Sequence, residues 1–238
     1  MKHTFESLSI KQKKTPVPLH LMRIIGYLLD IDGTLLDSRE AHARAWQRTL
    51  AARGIETTSG EITFDFAAPD ADVVPDLFGI DDPSEVDQIV QEKNEYFLGE
   101  LATIPLFSGV PEVLTRIIMT GGAICFVSSN FDRVIEGILA VYGWENLGAH
   151  FVGLDGVTKA KPDPEMVLKG IEKLDWDANK CVMVGDSPAD IQAGQAAGAR
   201  TIAVCSSGNT PEKFAQFHPE ITLNTIADLL PLIPLEFD

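Results

Sequence analysis

A chain of 238 residues, 45% apolar and with a formal net charge of −16, has room for one large domain or for a domain carrying a smaller insert. The acidity argues against nucleic acid, whose backbone needs a basic face, but leaves room for a small anionic ligand beside a local cation and a lysine. Three cysteines, Cys125, Cys181 and Cys205, lie in or beside apolar runs without zinc spacing, which suits free thiols in a reducing cytoplasm better than a disulfide framework.

Residues 1–22 read as a flexible basic extension, with Lys11, Lys13 and Lys14 ahead of Pro16 and Pro18. The apolar stretch that follows mimics a signal peptide, but Arg23 interrupts it and Asp30 and Asp32 end it. No stretch reads as a membrane span. Ile24–Leu29, Ala123–Val127, Cys181–Val184 and Thr201–Val204 are continuous apolar runs, the pattern of strands buried on both faces of a parallel sheet. Between them, Pro111–Met119, Arg133–Tyr142, Glu165–Leu174 and Ala189–Ala197 are amphipathic, with proline at a start and glycine past several ends. The alternation predicts a doubly wound α/β fold, continued by Ile221–Leu223 and Ile226–Ile233.

Residues 39–106 break that rhythm. A helix is expected over Glu40–Arg53, and another from Ser84, capped with Asp87 as its box partner, to about Leu101. The prediction is a helical insert (39–106) between two parts of an α/β core (23–38 and 107–238).

Polar residues at strand ends carry the chemistry, because ligands of open α/β sheets bind there. Asp30-Ile31-Asp32-Gly33-Thr34 follows the first strand, Ser128 the second, Lys161-Pro162 the run Phe151–Gly153, and Gly185–Asp190 the run after that. Two carboxylates two residues apart can divide labour as nucleophile and proton carrier; strand-end aspartates also serve as ordinary turn and cap residues.

These four motifs, in this order, resemble those of the haloacid dehalogenase superfamily of phosphatases over about residues 24–233. The resemblance implies a Rossmann-like core with a small cap after the first strand and an aspartyl-phosphate mechanism. Asp30 would attack phosphorus, and Asp32 would protonate the leaving oxygen and then activate water. Mg²⁺ would be held by Asp30, Asp186 and the backbone carbonyl of Asp32. Ser128 and Lys161 would bind the phosphoryl group, with Ser129 the competing candidate for Ser128. Asp190 would orient Lys161 or a metal-bound water, or cap its helix. Lys159 reads as solvated, Asp37 as a turn residue, and Met166 and Met183 as core.

The insert is similar to the cap of phosphoglycolate phosphatases, pyrophosphatases and β-phosphoglucomutases, and Asp37-Ser38, His42, Ala45-Trp46, Leu50 and Gly54-Ile55 are most similar to the last. His42 is a candidate substrate-binding residue near the hinge; the competing reading is an exposed helix position. The mutases carry an arginine motif for a distal phosphate, whereas Asp65–Asp72 here contains no Arg or Lys. That favours a phosphatase acting on a phosphorylated small molecule, a sugar phosphate or similar monoester, and disfavours bisphosphates and phosphoglycolate. The alternatives are a β-phosphoglucomutase-like phosphotransferase and a catalytically quiet binding protein of the same fold.

Overall fold

The computed structural model describes residues 24–62, 69–206 and 208–234. The predicted extension at 1–22 and residues 65–68 of the acidic stretch lie outside them. Six parallel strands form one sheet in the order β3-β2-β1-β4-β5-β6. They are β1 (Gly26–Leu29), β2 (Ala123–Val127), β3 (His150–Val152), β4 (Cys181–Gly185), β5 (Arg200–Val204) and β6 (Ile221–Leu223). The chain runs outward from β1 through β2 and β3, then returns to β4 on the other side of β1. Gly26 therefore pairs with Ala123 on one flank and Cys181 on the other. Such a reversal opens a crevice at the C-terminal strand ends.

Both sheet faces are covered, which explains the unbroken apolar runs. Tyr27, Leu29, Ile124 and Phe126 point into one layer, shared with α4 (Val110–Met119) and α5 (Asp132–Tyr142). Leu28, Cys125, Val127 and Met183 point into the other, shared with α6 (Glu165–Leu174) and α7 (Pro188–Ala196). Each fully buried Leu, Ile or Phe contributes about 1.5–3 kcal/mol. A short α8 (Pro211–Ala215) precedes β6. The expected last helix is a 3-10 helix over Ile226–Leu232, with Pro231 inside it.

Three helices separate β1 from α4: α1 (Arg39–Ala51), α2 (Asp70–Phe78) and α3 (Pro83–Leu98). Trp46, Val73, Val74, Val86, Ile89 and Val90 give them a small core of their own. Two expectations need correction. The cap of α3 is Asp82, which accepts from the Ser84 and Glu85 amides at 3.1 Å, because Pro83 takes the first helical position and moves the start ahead of Ser84. Helix α2 was not expected, since Pro75 interrupts its pattern; burial of Val73 and Val74 sustains it, and Gly79 ends it at φ +66°.

The three-helix unit meets the sheet layers at defined points. Phe131, just after β2, packs on its core. Glu95 of α3 pairs with Arg133 of α5. The Tyr142 hydroxyl donates to the Leu101 and Ile104 carbonyls at 3.0 and 2.6 Å, fixing the segment that leads back to the core.

Candidate active site

Asp30 directly follows β1, and its amide continues the ladder by donating to the Val184 carbonyl at 3.0 Å. Its carboxylate is buried. Oδ1 accepts from Lys161 Nζ at 2.7 Å and Oδ2 from Thr34 Oγ1 at 3.0 Å. The chain then folds back tightly, the Leu35 and Leu36 amides both donating to the Ile31 carbonyl at 2.8 and 3.0 Å. Gly33 makes the turn at φ +77°, where a Cβ would lie 2.3 Å from Asp186 Oδ2. Neither that backbone conformation nor that approach suits a residue with a side chain.

The other motifs meet here. Lys161 is buried and also donates to Asp190 Oδ1 at 2.7 Å and to the Val127 carbonyl at 3.1 Å. Asp190 combines two of the roles foreseen for it. One oxygen holds Lys161, and the other accepts from the Ser187 amide and hydroxyl at 3.0 and 2.6 Å, capping α7. Asp186 is half-buried at the mouth, and Asn209 Nδ2 donates to its carbonyl at 2.7 Å and to its Oδ2 at 3.2 Å. Ser128 is buried and Ser129 half-buried. Lys159 is exposed and pairs with Asp163; Asp37 is exposed just past the 33–35 turn, its amide donating to the Pro105 carbonyl at 3.0 Å.

Asp32 is held from two sides: Asn130 Nδ2 donates to Oδ2, and His42 Nε2 lies 3.3 Å from Oδ1. His42 is therefore not an exposed helix residue. It is buried, stacked on Phe97 at 3.9 Å, and its Nδ1 lies 2.8 Å from Lys93 Nζ. Both ring nitrogens are engaged by the protein, Nε2 facing Asp32 and Nδ1 facing Lys93. Lys93 is fully buried and also donates to Asp70 Oδ2 at 2.7 Å. This corrects the reading of the acidic stretch, because a cation from α3 meets Asp70 where only carboxylates were foreseen.

Lys93, Asn130 and Asn209 escaped the sequence reading. Lys93 left a signal: with Val86, Ile89, Val90 and Phe97 buried on α3, it occupies a core position of the helix. Asn130 and Asn209 left none, being single polar residues in loops.

The electrostatics follow from the packing. Burial alone would depress the Lys161 ammonium, but the Asp190 and Asp30 carboxylates outweigh it and hold the lysine protonated. Burial pushes the Asp30 carboxyl well up; Lys161 pulls it back, while Asp190 and Asp186 add to the rise. Burial also pushes Asp32 up, but His42 and Lys93 prevail and hold it below the usual range. Asp30, Asp186 and Asp190 place one oxygen each within 4.8 Å of one another. Asp190 is 1% exposed and holds Lys161 and Ser187, so Asp30, 6% exposed, and the half-buried Asp186 are the pair better placed to hold a cation. Hard carboxylate oxygens, gathered with more negative charge than Lys161 balances, suit a divalent ion such as Mg²⁺.

A doubly wound parallel sheet whose strand ends and following loops carry an Asp-x-Asp pair, a serine, a lysine and a further aspartate defines a class of phosphate-cleaving α/β hydrolases. Residues 27–204 match the haloacid dehalogenase-like hydrolase family, and the chain belongs to it as one of its phosphatases. It is 29% identical over 220 residues to pyrophosphatase PpaX of Listeria monocytogenes, covering 89% of this chain and 97% of that one. It is 30% identical over 202 residues to the N-acetylmuramic acid 6-phosphate phosphatase of Pseudomonas aeruginosa, covering 84% and 86%. Among solved structures, a haloacid dehalogenase-like hydrolase from Bacteroides fragilis superposes with a TM-score of 0.78 at 25% identity, over 87% of this chain and 99% of that one. No helix among the described residues is long and apolar enough to cross a membrane.

Proposed function

We propose that the protein hydrolyses a phosphorylated small molecule, a sugar phosphate or similar monoester, through an aspartyl-phosphate on Asp30. The observation that carries this reading is the setting of Asp30: a buried carboxylate fixed between Lys161 and Thr34, facing Asp186. An oxygen of Asp30 forms the bond to phosphorus as the ester oxygen leaves. Asp32 supplies the proton that the leaving oxygen takes, then removes one from the water that cleaves the aspartyl-phosphate. Against burial, His42 and Lys93 hold the Asp32 carboxyl below its usual range, favouring the ionised state the second step requires; the anionic phosphoryl group of a substrate raises its proton affinity for the first. Ser128 donates to a phosphoryl oxygen, and Lys161 offsets the charge of two anions brought together.

Asp30, Asp186 and the backbone carbonyl of Asp32 would hold Mg²⁺, which supplies positive charge to the phosphoryl oxygens. We read 39–106 as a cap over the strand ends: the catalytic motifs recognise only the phosphate, so choice of the remaining substrate falls to the cap. The amino-sugar phosphate in the name of the Pseudomonas relative supports a sugar phosphate. The three unpaired cysteines suit the cytoplasm.

The test is turnover of p-nitrophenyl phosphate and a panel of sugar phosphates by wild type and Asp30→Asn. The wild type should be active and the folded variant inactive, because an amide is a poor nucleophile. Wild-type rates in the variant would remove Asp30 from the chemistry.

A further inference from the structure

Asn130 follows the serines after β2 and is 6% exposed. Its backbone amide donates to Ser128 Oγ at 3.2 Å and its side-chain Nδ2 to the same oxygen at 3.1 Å. Nδ2 also donates to Asp32 Oδ2. A serine hydroxyl has two lone pairs and one proton. Asn130 occupies both lone pairs, so what Ser128 can offer a ligand is its proton. A phosphoryl oxygen, rich in lone pairs, is matched to such a group, while a ligand hydroxyl in need of an acceptor is not. The amide orientation is set by charge: reversed, its oxygen would face the Asp32 carboxylate.

The loop that carries these groups is pinned. The Ser128 amide donates to the Val152 carbonyl at 3.1 Å, and the Asn130 carbonyl accepts from the Leu154 amide at 2.9 Å. Between those anchors lies Gly153, where a Cβ would come within 2.8 Å of the Asn130 carbonyl oxygen.

We propose that Asn130 is a positioning residue: its side-chain amide, beside its own backbone N–H, completes the pair that makes Ser128 a dedicated donor to the phosphoryl group, and the same side-chain amide holds the Asp32 carboxylate in register with it. This rests on the phosphatase reading above. It links the group that binds phosphate to the group that carries the proton, so the two are set together.

The experiment is a double-mutant cycle on inhibition by orthophosphate, with Ser128→Ala, Asn130→Ala and the double variant in saturating Mg²⁺. Each single change should weaken orthophosphate about tenfold, the scale of one hydrogen bond to a charged group. The double variant should be no weaker than either, because both changes remove one donor; independent losses that multiply to roughly a hundredfold would overturn the proposal. A second readout is the ratio of kcat/KM for p-nitrophenyl phosphate to that for an alkyl phosphate, which depends on the leaving-group proton. Asn130→Ala should raise it and Ser128→Ala should not; an unmoved ratio in Asn130→Ala would remove the link to Asp32. Asn130→Leu keeps a similar shape and adds no charge but has no side-chain donor, so it should reproduce both effects even if the alanine variant fails to fold. Wild type inactive on every ester would sink the phosphatase reading and this proposal together. Active wild type with multiplying losses would sink only the role of Asn130.

Discussion

Lys93 Nζ lies 2.8 Å from His42 Nδ1, joining α3 to α1 across 51 residues of sequence inside the protein. An ammonium group only donates, so Nδ1 is the acceptor and the ring proton sits on Nε2, from which it reaches Asp32 Oδ1 at 3.3 Å. Lys93 thereby fixes the tautomer of the histidine behind Asp32.

A pH dependence follows. Burial and the Lys93 charge depress the His42 pKa, outweighing Asp32 and Asp70. Below the ordinary imidazole value of 6.5 the unfolded chain takes up a proton that the folded one resists. Stability should therefore fall as pH drops through that value. Denaturant unfolding between about pH 5 and 8 should show a smaller acid loss in His42→Asn than in wild type. Equal slopes would mean that His42 is protonated in the folded protein.

Two glycines separate contact from backbone strain. Gly33 and Gly54 have nearly the same φ, +77° and +75°, but a Cβ on Gly33 would strike the Asp186 carboxylate whereas one on Gly54 meets nothing within 4 Å. Gly54→Ala should cost about 1–2 kcal/mol, the left-handed penalty alone. Gly33→Ala should cost more and should also lower activity by displacing Asp186. Matching losses in urea melts, with activity intact in both, would contradict the close approach.

The strand-end motifs were legible because each follows an apolar run at a point where the sheet makes side chains converge. Asp30, Ser128 and Asp186 directly follow strands, whereas Lys161 lies in the loop between β3 and α6 and was picked out by the resemblance and its place before Pro162. The helices next to the sheet were legible for a related reason: their apolar stripes face one continuous layer. Lys93, Asn130 and Asn209 were not legible, since each acts on a residue brought close only by folding. The α2 helix was hidden by Pro75, whose local penalty is outweighed by the burial of Val73 and Val74.

Metal removal is the third prediction. With Asp30 and Asp186 as the carboxylates that would hold the ion, EDTA should abolish turnover and Mg²⁺ restore it. Mg²⁺ at about 100 times its Kd should raise wild-type stability by about 2.7 kcal/mol. Asp186→Asn should lose most of that increment while remaining folded, as Asn209 can still donate to its backbone carbonyl. An undiminished Mg²⁺ shift in thermal unfolding of Asp186→Asn would place the ion elsewhere.

Asp70 and Asp72 lie two residues apart at the start of α2, yet their surroundings predict different behaviour. Asp70 Oδ2 accepts from the fully buried Lys93 at 2.7 Å, while Asp72 is exposed. Removing one partner of a buried pair costs about 3–5 kcal/mol, and since the Asp70 side chain keeps 18% of its surface exposed, the lower end applies. Asp70→Asn should therefore destabilise the protein. It should also leave the Lys93 charge uncompensated, so a substrate with a second anionic group should gain relative to a simple monoester. Asp72→Asn should change stability by less than about 0.5 kcal/mol and leave that preference in place. The comparison is the kcat/KM ratio for a bisphosphorylated and a monophosphorylated sugar in the two variants. A ratio that rises in Asp70→Asn alone assigns the discrimination to the Lys93–Asp70 pair; equal rises would assign it to the net charge of the stretch, and no rise in either would mean that this end of α2 does not face the substrate.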